Sequence, residues 1–310
     1  MPAPLIRLLL CCAVSVVLVP ALSAAAEREN SIRVGKLASA PVIDGTVDEQ
    51  EWAGATIIDQ PFIQYQPELG QPSPYRTVVR VAQTETSLLI AFEAYDPDIS
   101  RIAAIRTQRD GGVHRDDSVQ VMLDTFGDQR TAYAFRTNVL GTQEDSRIAD
   151  NGRTSDTRWD ERWFSAVQRY DDRWTAEIEI PFSILRFDAG EDVAWGLNFV
   201  RSVPRRQEHA TWTFPSEALS RVSAFGELTG IKTPSTHDAW TFIPYALASY
   251  EVDQDADFEA GADIRWRPTS RLGVDMTINP DFALIEADSE EINLTRFELR
   301  ISEKRPFFLE

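Results

Sequence analysis

Paired carboxylates are the side chains in this 310-residue chain that are best suited to acid–base chemistry. Asp116 and Asp117 are adjacent, and so are Asp160 and Glu161. Neighbouring residues of a β-strand point to opposite faces, whereas a glycosidase needs two carboxyl groups that face one bond. The spacing therefore does not support hydrolysis. We interpret both pairs as strand-end groups that accept hydrogen bonds from loop amides.

The remaining residue types with catalytic potential do not form a known pattern either. His114, His209 and His237 are far apart and have no metal-ligand spacing. The sequence contains no G-x-S-x-G, phosphate-loop or H-E-x-x-H motif. Both cysteines, Cys11 and Cys12, lie in an N-terminal segment that we expect to be removed. Spacing alone therefore gives no support to catalysis.

Two acidic residues beside a proline offer a candidate metal site. Asp96 and Asp98 flank Pro97 at the predicted end of a strand. Carboxylate oxygens are the ligands that Ca²⁺ prefers. We therefore name Asp96 and Asp98 as candidate Ca²⁺ ligands, with an acidic turn that holds no metal as the alternative.

Tryptophan content is the stronger indication of ligand binding. The chain has eight tryptophans, and an exposed indole can stack on the apolar face of a sugar ring while polar side chains bind the hydroxyls. Trp174 and Trp195 occupy core-facing strand positions. Trp159 and Trp212 are predicted to be exposed, Trp159 because it lies in a charged loop. The candidate ligand-binding residues are Trp212, Trp159, Asn198 and Arg201.

Charge limits the classes of partner. The formal net charge is −18, and phosphate contacts need a surplus of Lys and Arg. This excludes nucleic acid as an expected partner and disfavours an anionic membrane surface. A neutral ligand or a cation fits the charge.

The N-terminus has the order of features of a secretory signal. Arg7 precedes the apolar run Leu8–Val19, and Ala24–Ala26 supplies small residues for cleavage. The run is too short to span a bilayer as a helix. We predict that residues 1–26 are a signal peptide and that the protein is exported to the periplasm or outer membrane of a bacterium.

The stretch Asp116–Asn138 predicts a β-hairpin around which the first domain is organised. Val119, Val121 and Leu123 fall on one face and Ser118, Gln120 and Met122 on the other, as in a half-buried strand. Further short alternating segments follow at regular spacing, and no long amphipathic helix interrupts them. Residues 27–231 are therefore predicted to form an all-β antiparallel sandwich. Gly141–Arg158 is expected to be a long polar loop within it.

A different pattern begins after a predicted linker at residues 232–238. Phe258–Arg267 and Arg271–Asn279 alternate strictly between apolar and polar or small residues. Strands of about 9–11 residues with this pattern suit a transmembrane barrel, and they suit a soluble sheet equally well. Because a barrel needs about eight strands, residues 239–310 are predicted to be the start of an incomplete barrel, and the chain a fragment.

Five motifs carry a resemblance to a known family. They are VIDGTVDEQEW, AFEAYDPD, DDSVQVMLDT, WTAEIEIPFSIL and WGLNFVR. Together they resemble the family 9 carbohydrate-binding modules, whose sandwich is jelly-roll-like. The tail, NPDFALIEADSEEINLTRFELRISEKRPFFLE, resembles the junction in a bacterial outer-membrane family, in which such a module precedes a long β-barrel domain of unknown function.

The resemblance implies a function and a site. For some members it implies Ca²⁺ and a sugar end held between two aromatic rings, one of them just before the DDSV strand. Here that approach, Gly111–Arg115, contains no aromatic residue, while Trp212 matches the other position. The expected function is glycan binding at the bacterial outer membrane, in polysaccharide breakdown or uptake. Two alternatives stay open: a structural periplasmic or plug domain of a barrel transporter, and a glycoside hydrolase.

Overall fold

The computed structural model describes residues 30–214, 217–234, 239–249, 257–269 and 272–279. Within these residues the regular structure consists of β-strands and 3-10 turns, so the all-β prediction is confirmed. The strands are, in chain order, β1 (Ser31–Arg33), β2 (Gly35–Lys36), β3 (Thr56–Ile58), β4 (Ile63–Gln66), β5 (Thr77–Gln83), β6 (Ser87–Tyr95), β7 (Ser118–Asp124), β8 (Ala132–Asn138), β9 (Gln143–Ala149), β10 (Thr154–Asp156), β11 (Phe164–Arg169), β12 (Arg173–Pro181), β13 (Val193–Val203), β14 (Glu208–Thr211), β15 (Gly226–Ile231), β16 (Ala239–Ser249), β17 (Asp257–Thr269) and β18 (Leu272–Ile278). The 3-10 turns are Ile99–Arg101, Val113–Arg115, Asp150–Gly152, Phe182–Ile184, Pro204–Arg206 and Val222–Ala224.

Two sheets face each other in the first part of the chain. The first sheet has the order β1-β15-β13-β7-β8-β9-β10, and β14 pairs with both β13 and β4. The second sheet has the order β11-β12-β6-β5-β2, and β3 also pairs with β5. Most pairs are antiparallel, as predicted, but β1 with β15 and β2 with β5 are parallel. The predicted sandwich is therefore confirmed, with one parallel pair in each sheet.

The central hairpin has the geometry that its sequence predicts. Val119, Val121 and Leu123 of β7 are fully buried between the sheets. Gly127 adopts a positive φ of 65° in the reversal between β7 and β8, where a side chain would strain the backbone. Across the core, Phe92 of the second sheet meets Phe199 of the first edge to face, with ring centroids 5.6 Å apart.

The segment Gly141–Arg158 is not the long loop that its polarity predicts. It contains β9, which pairs with β8, and β10, which pairs with β9. The apolar alternation is hidden because Asp145 occupies a position facing the interior, opposite Phe135. Its side chain is fully buried and pairs with Arg109, so a charged group stands where a sequence pattern expects an apolar one.

The opening motif VIDGTVDEQEW covers the outer face of the second sheet. Trp52 packs there against Ala82, Leu89 and Ala91. Its ring N–H donates to Glu177 of β12 over 2.8 Å. Glu177 also accepts hydrogen bonds from two backbone amides of the same motif, at positions 44 and 45. The motifs VIDGTVDEQEW and WTAEIEIPFSIL, which are far apart in sequence, therefore contact each other in the fold.

The last three strands form a separate antiparallel sheet in the order β16-β17-β18. The register places apolar residues side by side on one of its faces, namely Trp240, Trp266 and Val274, then Phe242, Ile264 and Met276, then Pro244, Ala262 and Ile278. The rings of Trp240 and Trp266 are stacked, with centroids 5.2 Å apart. Trp240, Phe242 and Ile278 are each at least 59% exposed.

Several predicted segments lie outside the described residues. These are the signal peptide at residues 1–26, most of the linker (residues 235–238) and the tail from residue 280. Among the residues that the structure describes, no helix has the length and apolar content needed to cross a membrane.

Candidate functional site

The outer face of the first sheet is divided into a covered half and an open half. Over the covered half, Val222 and Phe225 pack on Met122, Ala134 and Val200. The open half is polar. We call it the polar face, and it comprises His114, Gln120, Arg136, Glu144, Ser202 and His209.

Strand register brings the members of the polar face together. Gln120 of β7 stands opposite Arg136 of β8, and Arg136 stands opposite Glu144 of β9. On the other side of β7, Ser202 of β13 stands opposite His209 of β14. His114 lies in the 3-10 turn that leads into β7. Five neighbouring strands and one turn therefore contribute to a single surface.

A hydrogen-bonded chain runs across these strands. Arg136 donates from Nη1 to Glu144 in a short contact and from Nη2 to Gln120 over 2.8 Å. The other carboxylate oxygen of Glu144 lies 3.6 Å from Nδ1 of His114. Side chains of Arg136 and Glu144 are only 16% and 12% exposed. Such a half-buried charge pair holds its geometry better than an exposed one, because solvent screens it less.

Burial determines the protonation of the imidazole next to this chain. The pKa of His209 is lowered from 6.5, first by burial and then by electrostatic interaction with Arg136 and His114. His209 is therefore neutral at pH 7. Its Nδ1 lies 3.0 Å from the hydroxyl of Ser202, which leaves Nε2 for another partner.

Two side chains on this surface, Gln120 and His209, have unused hydrogen-bonding capacity. The amide of Gln120 uses its oxygen for Arg136, and its nitrogen has no partner among the described residues. The Ser118 hydroxyl, in the adjacent row of the sheet, also lacks a partner within that part of the chain, but it is buried and does not reach the surface. Fixed donors and acceptors in one plane suit a ligand that carries several hydroxyl groups.

Comparison with known proteins gives a family match at one end of the chain and fold matches at the other. A model described as a domain of unknown function (DUF5916) matches residues 240–310. No curated protein matches the chain. A family 9 carbohydrate-binding module from Caldicellulosiruptor kristjanssonii, in complex with cellotriose, is 20% identical, with a TM-score of 0.49 over 66% of this chain and 95% of that chain.

Two further solved structures are similar. The same module in complex with glucose is 20% identical, with a TM-score of 0.49 over 66% of this chain and 97% of that chain. A candidate carbohydrate-binding protein from Bacteroides uniformis is 16% identical, with a TM-score of 0.53 over 64% of this chain and 98% of that chain. The last likeness agrees with the sandwich fold that the strand pairing shows.

Trp212 is not the exposed platform that we predict from the sequence. It is 2% exposed, and its ring packs 5.7 Å from that of Phe199. Gly226 leaves room for the indole, since a Cβ at that position would lie 2.7 Å from the ring. Trp212 directly follows β14 and points inward. A strand of only four residues is too short for its sequence pattern to indicate this direction.

Trp159 is also buried, and the prediction of its exposure is wrong. Its charged neighbours point outward while the ring is 9% exposed and packs on Tyr133 and Phe135. Arg109 holds the loop in this position through an ion pair with Asp160, whose carboxylate lies 2.8 Å from Nη2, and by donating to the Glu161 carbonyl. A charged loop can therefore bury one large residue when ion pairs hold it against the core.

Asn198 and Arg201, the two polar candidates, are buried at 3% and 2% exposure. Asn198 accepts hydrogen bonds from the backbone amides of Phe199 and Thr213. Arg201 points into the interior and donates to the Thr77 hydroxyl and to two carbonyls, and burial lowers its pKa to about 10. Both side chains are engaged in holding strands together, so the prediction that they contact a ligand is not supported by their positions.

The candidate Ca²⁺ ligands do not fit a cation. Asp96 is 1% exposed, and its two oxygens accept from the Asp98 backbone N–H and from Arg205. Arg205 also donates to Asp117 over 3.3 Å. A metal at Asp96 would face this guanidinium, so the residues present favour an ion pair. Asp98 instead accepts from Ser100 and lies 3.5 Å from Arg101.

The sequence contains the residues of the polar face but does not show that they lie close together. Ser118, Gln120 and Met122 alternate with the core residues of β7 and therefore had to face outward. Glu144 was hidden in the segment that we expect to be a loop. His114 and His209 are distant in sequence and become neighbours only through the pairing of β13 with β7 and β14.

Proposed function

We propose that the sandwich binds a neutral glycan through the polar face. The observation that carries this proposal is the network of Gln120, Arg136 and Glu144 on the outer side of the first sheet, in which the Gln120 amide nitrogen has no partner among the described residues. A sheet face held by strand pairing is rigid, so few polar groups need to be ordered on binding. Likeness in fold to a candidate carbohydrate-binding protein adds support to the proposal.

The charges of the network favour a neutral ligand over an acidic one. Arg136 has Glu144 and Gln120 as partners, so its charge is already compensated. The His209 imidazole is neutral at pH 7. A carboxylate or sulfate ligand would meet the negative charge of Glu144. Sugar hydroxyls, which both donate and accept, match the groups that remain.

Hydrogen bonds rather than indole stacking would provide the affinity. Trp159 and Trp212 are buried, so the flat groups on this surface are the imidazoles of His114 and His209. Each hydrogen bond to a ligand contributes about 1 kcal/mol net. We therefore expect dissociation constants in the range of roughly 10 µM to 1 mM.

The test is isothermal titration of the purified full chain with neutral oligosaccharides, namely cello-, xylo- and malto-oligomers and their monosaccharides. Gln120→Ala removes the free amide and leaves the Arg136–Glu144 pair in place. We expect about tenfold weaker binding, which corresponds to about 1.4 kcal/mol.

Gln168→Ala is the matched control, since this exposed glutamine lies on β11 of the other sheet. It should bind like the unmodified protein. If both substitutions weaken binding equally, the polar face is not the binding site. If no sugar in the panel gives heat, the sandwich has a structural role instead, as expected for a periplasmic or plug domain.

A second proposal concerns location. We propose that residues 1–26 direct export and that the sheet β16–β18 attaches the protein to the bacterial outer membrane. The supporting observation is the apolar face of that sheet, on which Trp240, Phe242 and Ile278 are exposed. Apolar patches of this kind mark membrane or protein contacts.

Fractionation of a bacterial envelope tests this location. The protein should be recovered with outer membranes, and mass spectrometry should show an N-terminus after Ala26. Replacing both Trp240 and Phe242 by Ser should release part of it into the soluble fraction, whereas Phe214→Ser, at an exposed site in the sandwich, should not. A mature species that retains Leu8–Val19 would contradict export by cleavage.

A further inference from the structure

Three carboxylates converge beside β9 in an arrangement that could hold a metal ion. One oxygen from each of Asp110, Asp145 and Asp160 lies within 4.8 Å of the others. Asp145 is fully buried, whereas Asp160 is largely exposed. Three negative charges so close together need a positive partner.

A guanidinium group occupies this position. Arg109 places Nη2 at 2.6 Å from Asp145 and 2.8 Å from Asp160. The same nitrogen donates to the Glu161 carbonyl over 2.7 Å, and Nη1 donates to the side-chain oxygen of Gln143. Every one of these acceptors is an oxygen of the type that Ca²⁺ takes as a ligand.

The group reinforces the contacts between three parts of the chain. Arg109 lies in the approach to the central hairpin, Asp145 lies on β9, and Asp160 and Glu161 belong to the loop that buries Trp159. The Glu161 amide also donates to Asp145 over 2.9 Å. A multivalent centre at this point fixes both loops against the first sheet.

We infer that Arg109 replaces a structural metal ion, so that the sandwich uses an internal guanidinium where its acidic ligands would otherwise require a cation such as Ca²⁺. Arginine suits this role because its planar group presents several donors in fixed directions and remains charged. The inference concerns the stability of the sandwich and is independent of whether the polar face binds a glycan.

The first test uses the purified full chain. Elemental analysis should find no stoichiometric calcium. Thermal unfolding followed by near-ultraviolet circular dichroism should give the same Tm in EDTA and in millimolar CaCl2. A stoichiometric calcium content, or a Tm that rises with calcium, would overturn the inference.

The second test removes the guanidinium. Arg109→Ala leaves a buried carboxylate without its partner, so we expect Tm to fall by roughly 5–15 °C. The vacated oxygens should then accept calcium, and CaCl2 should restore part of the loss, since a ligand that binds only the folded state stabilises it. Arg158→Ala is the control, because this arginine pairs with Asp156 at an exposed site. It should change neither Tm nor the calcium response.

Arg109→Lys decides the case if Arg109→Ala does not fold. A lysine keeps the charge, so the variant should fold. Its Tm should lie between those of the wild type and the alanine variant and should not change when CaCl2 is added. A lysine variant that is also unfolded would show that a positive charge at this position is not sufficient, which would overturn the comparison with a metal ion. An alanine variant that melts like the wild type would overturn it as well.

Discussion

Replacing Trp212 by Ala distinguishes a core residue from a binding platform. The indole is 2% exposed, packs on Phe199 and lies against Gly226. Deleting a buried tryptophan side chain costs about 3–5 kcal/mol, because the cavity does not fully collapse. Loss of the aromatic pair with Phe199 is part of this cost. We therefore expect a large fall in the free energy of unfolding.

For a sandwich of this size the expected loss corresponds to a Tm lower by about 6–20 °C. Urea unfolding followed by circular dichroism measures the free energy, and a matched variant provides the control. Phe214→Ala removes an aromatic ring two residues away that is 60% exposed, and it should leave stability almost unchanged.

Binding measurements complete the test of Trp212. At a temperature where Trp212→Ala is still folded, its affinity for a glycan should match that of the unmodified protein, because the indole does not reach the polar face. A variant with unchanged stability but weaker binding would refute the assignment of Trp212 to the core and would restore the stacking platform.

Two further predictions follow from buried groups. Val121→Asp should abolish cooperative unfolding in calorimetry, because it places an unpaired charge in the core, whereas Ile57→Asp, at a 59% exposed site, should not. Burial raises the pKa of Asp117 and of Asp145 from 3.8 to about 6. A raised pKa means that the folded state binds the proton more tightly, so this contribution to stability is complete below pH about 4 and is lost as the pH rises through about 6. Melts across this window should show Tm falling as pH rises, and Asp117→Asn should flatten the fall; a variant with an unchanged slope would contradict the assignment.

The parts of the fold that the sequence predicts are those in which neighbouring residues carry the information. The alternation of β7 places Val119, Val121 and Leu123 in the core, and the structure agrees. Strand β9 is not predicted from the sequence because its interior position holds Asp145. The burial of Asp145 depends on Arg109, which is far away in sequence. Local periodicity cannot indicate a partner that only the tertiary fold brings near.

The candidate site was harder to predict for the same reason. An outward-facing Gln120 is visible in the sequence, but its neighbours Arg136 and Glu144 depend on the registers of two strand pairs. The tryptophans suggested stacking because tryptophan is rare and large, yet five of the eight, Trp159, Trp163, Trp174, Trp195 and Trp212, lie in the core between the two sheets. The residue types indicate which chemistry is available. Whether a given side chain is exposed can be determined only from the three-dimensional arrangement.

The parallel pairing of β1 with β15 has a mechanical consequence. These strands are the first and last of the sandwich, and Ser31 lies opposite Glu227 while Arg33 lies opposite Thr229. The chain therefore enters at one end of this pair and leaves at the other. A force that pulls the two ends apart acts along the strands, so the hydrogen bonds between them are loaded in shear and must break together. Tension between the two ends of the sandwich is therefore carried by the whole β1–β15 pair at once, and the sandwich is not peeled open strand by strand.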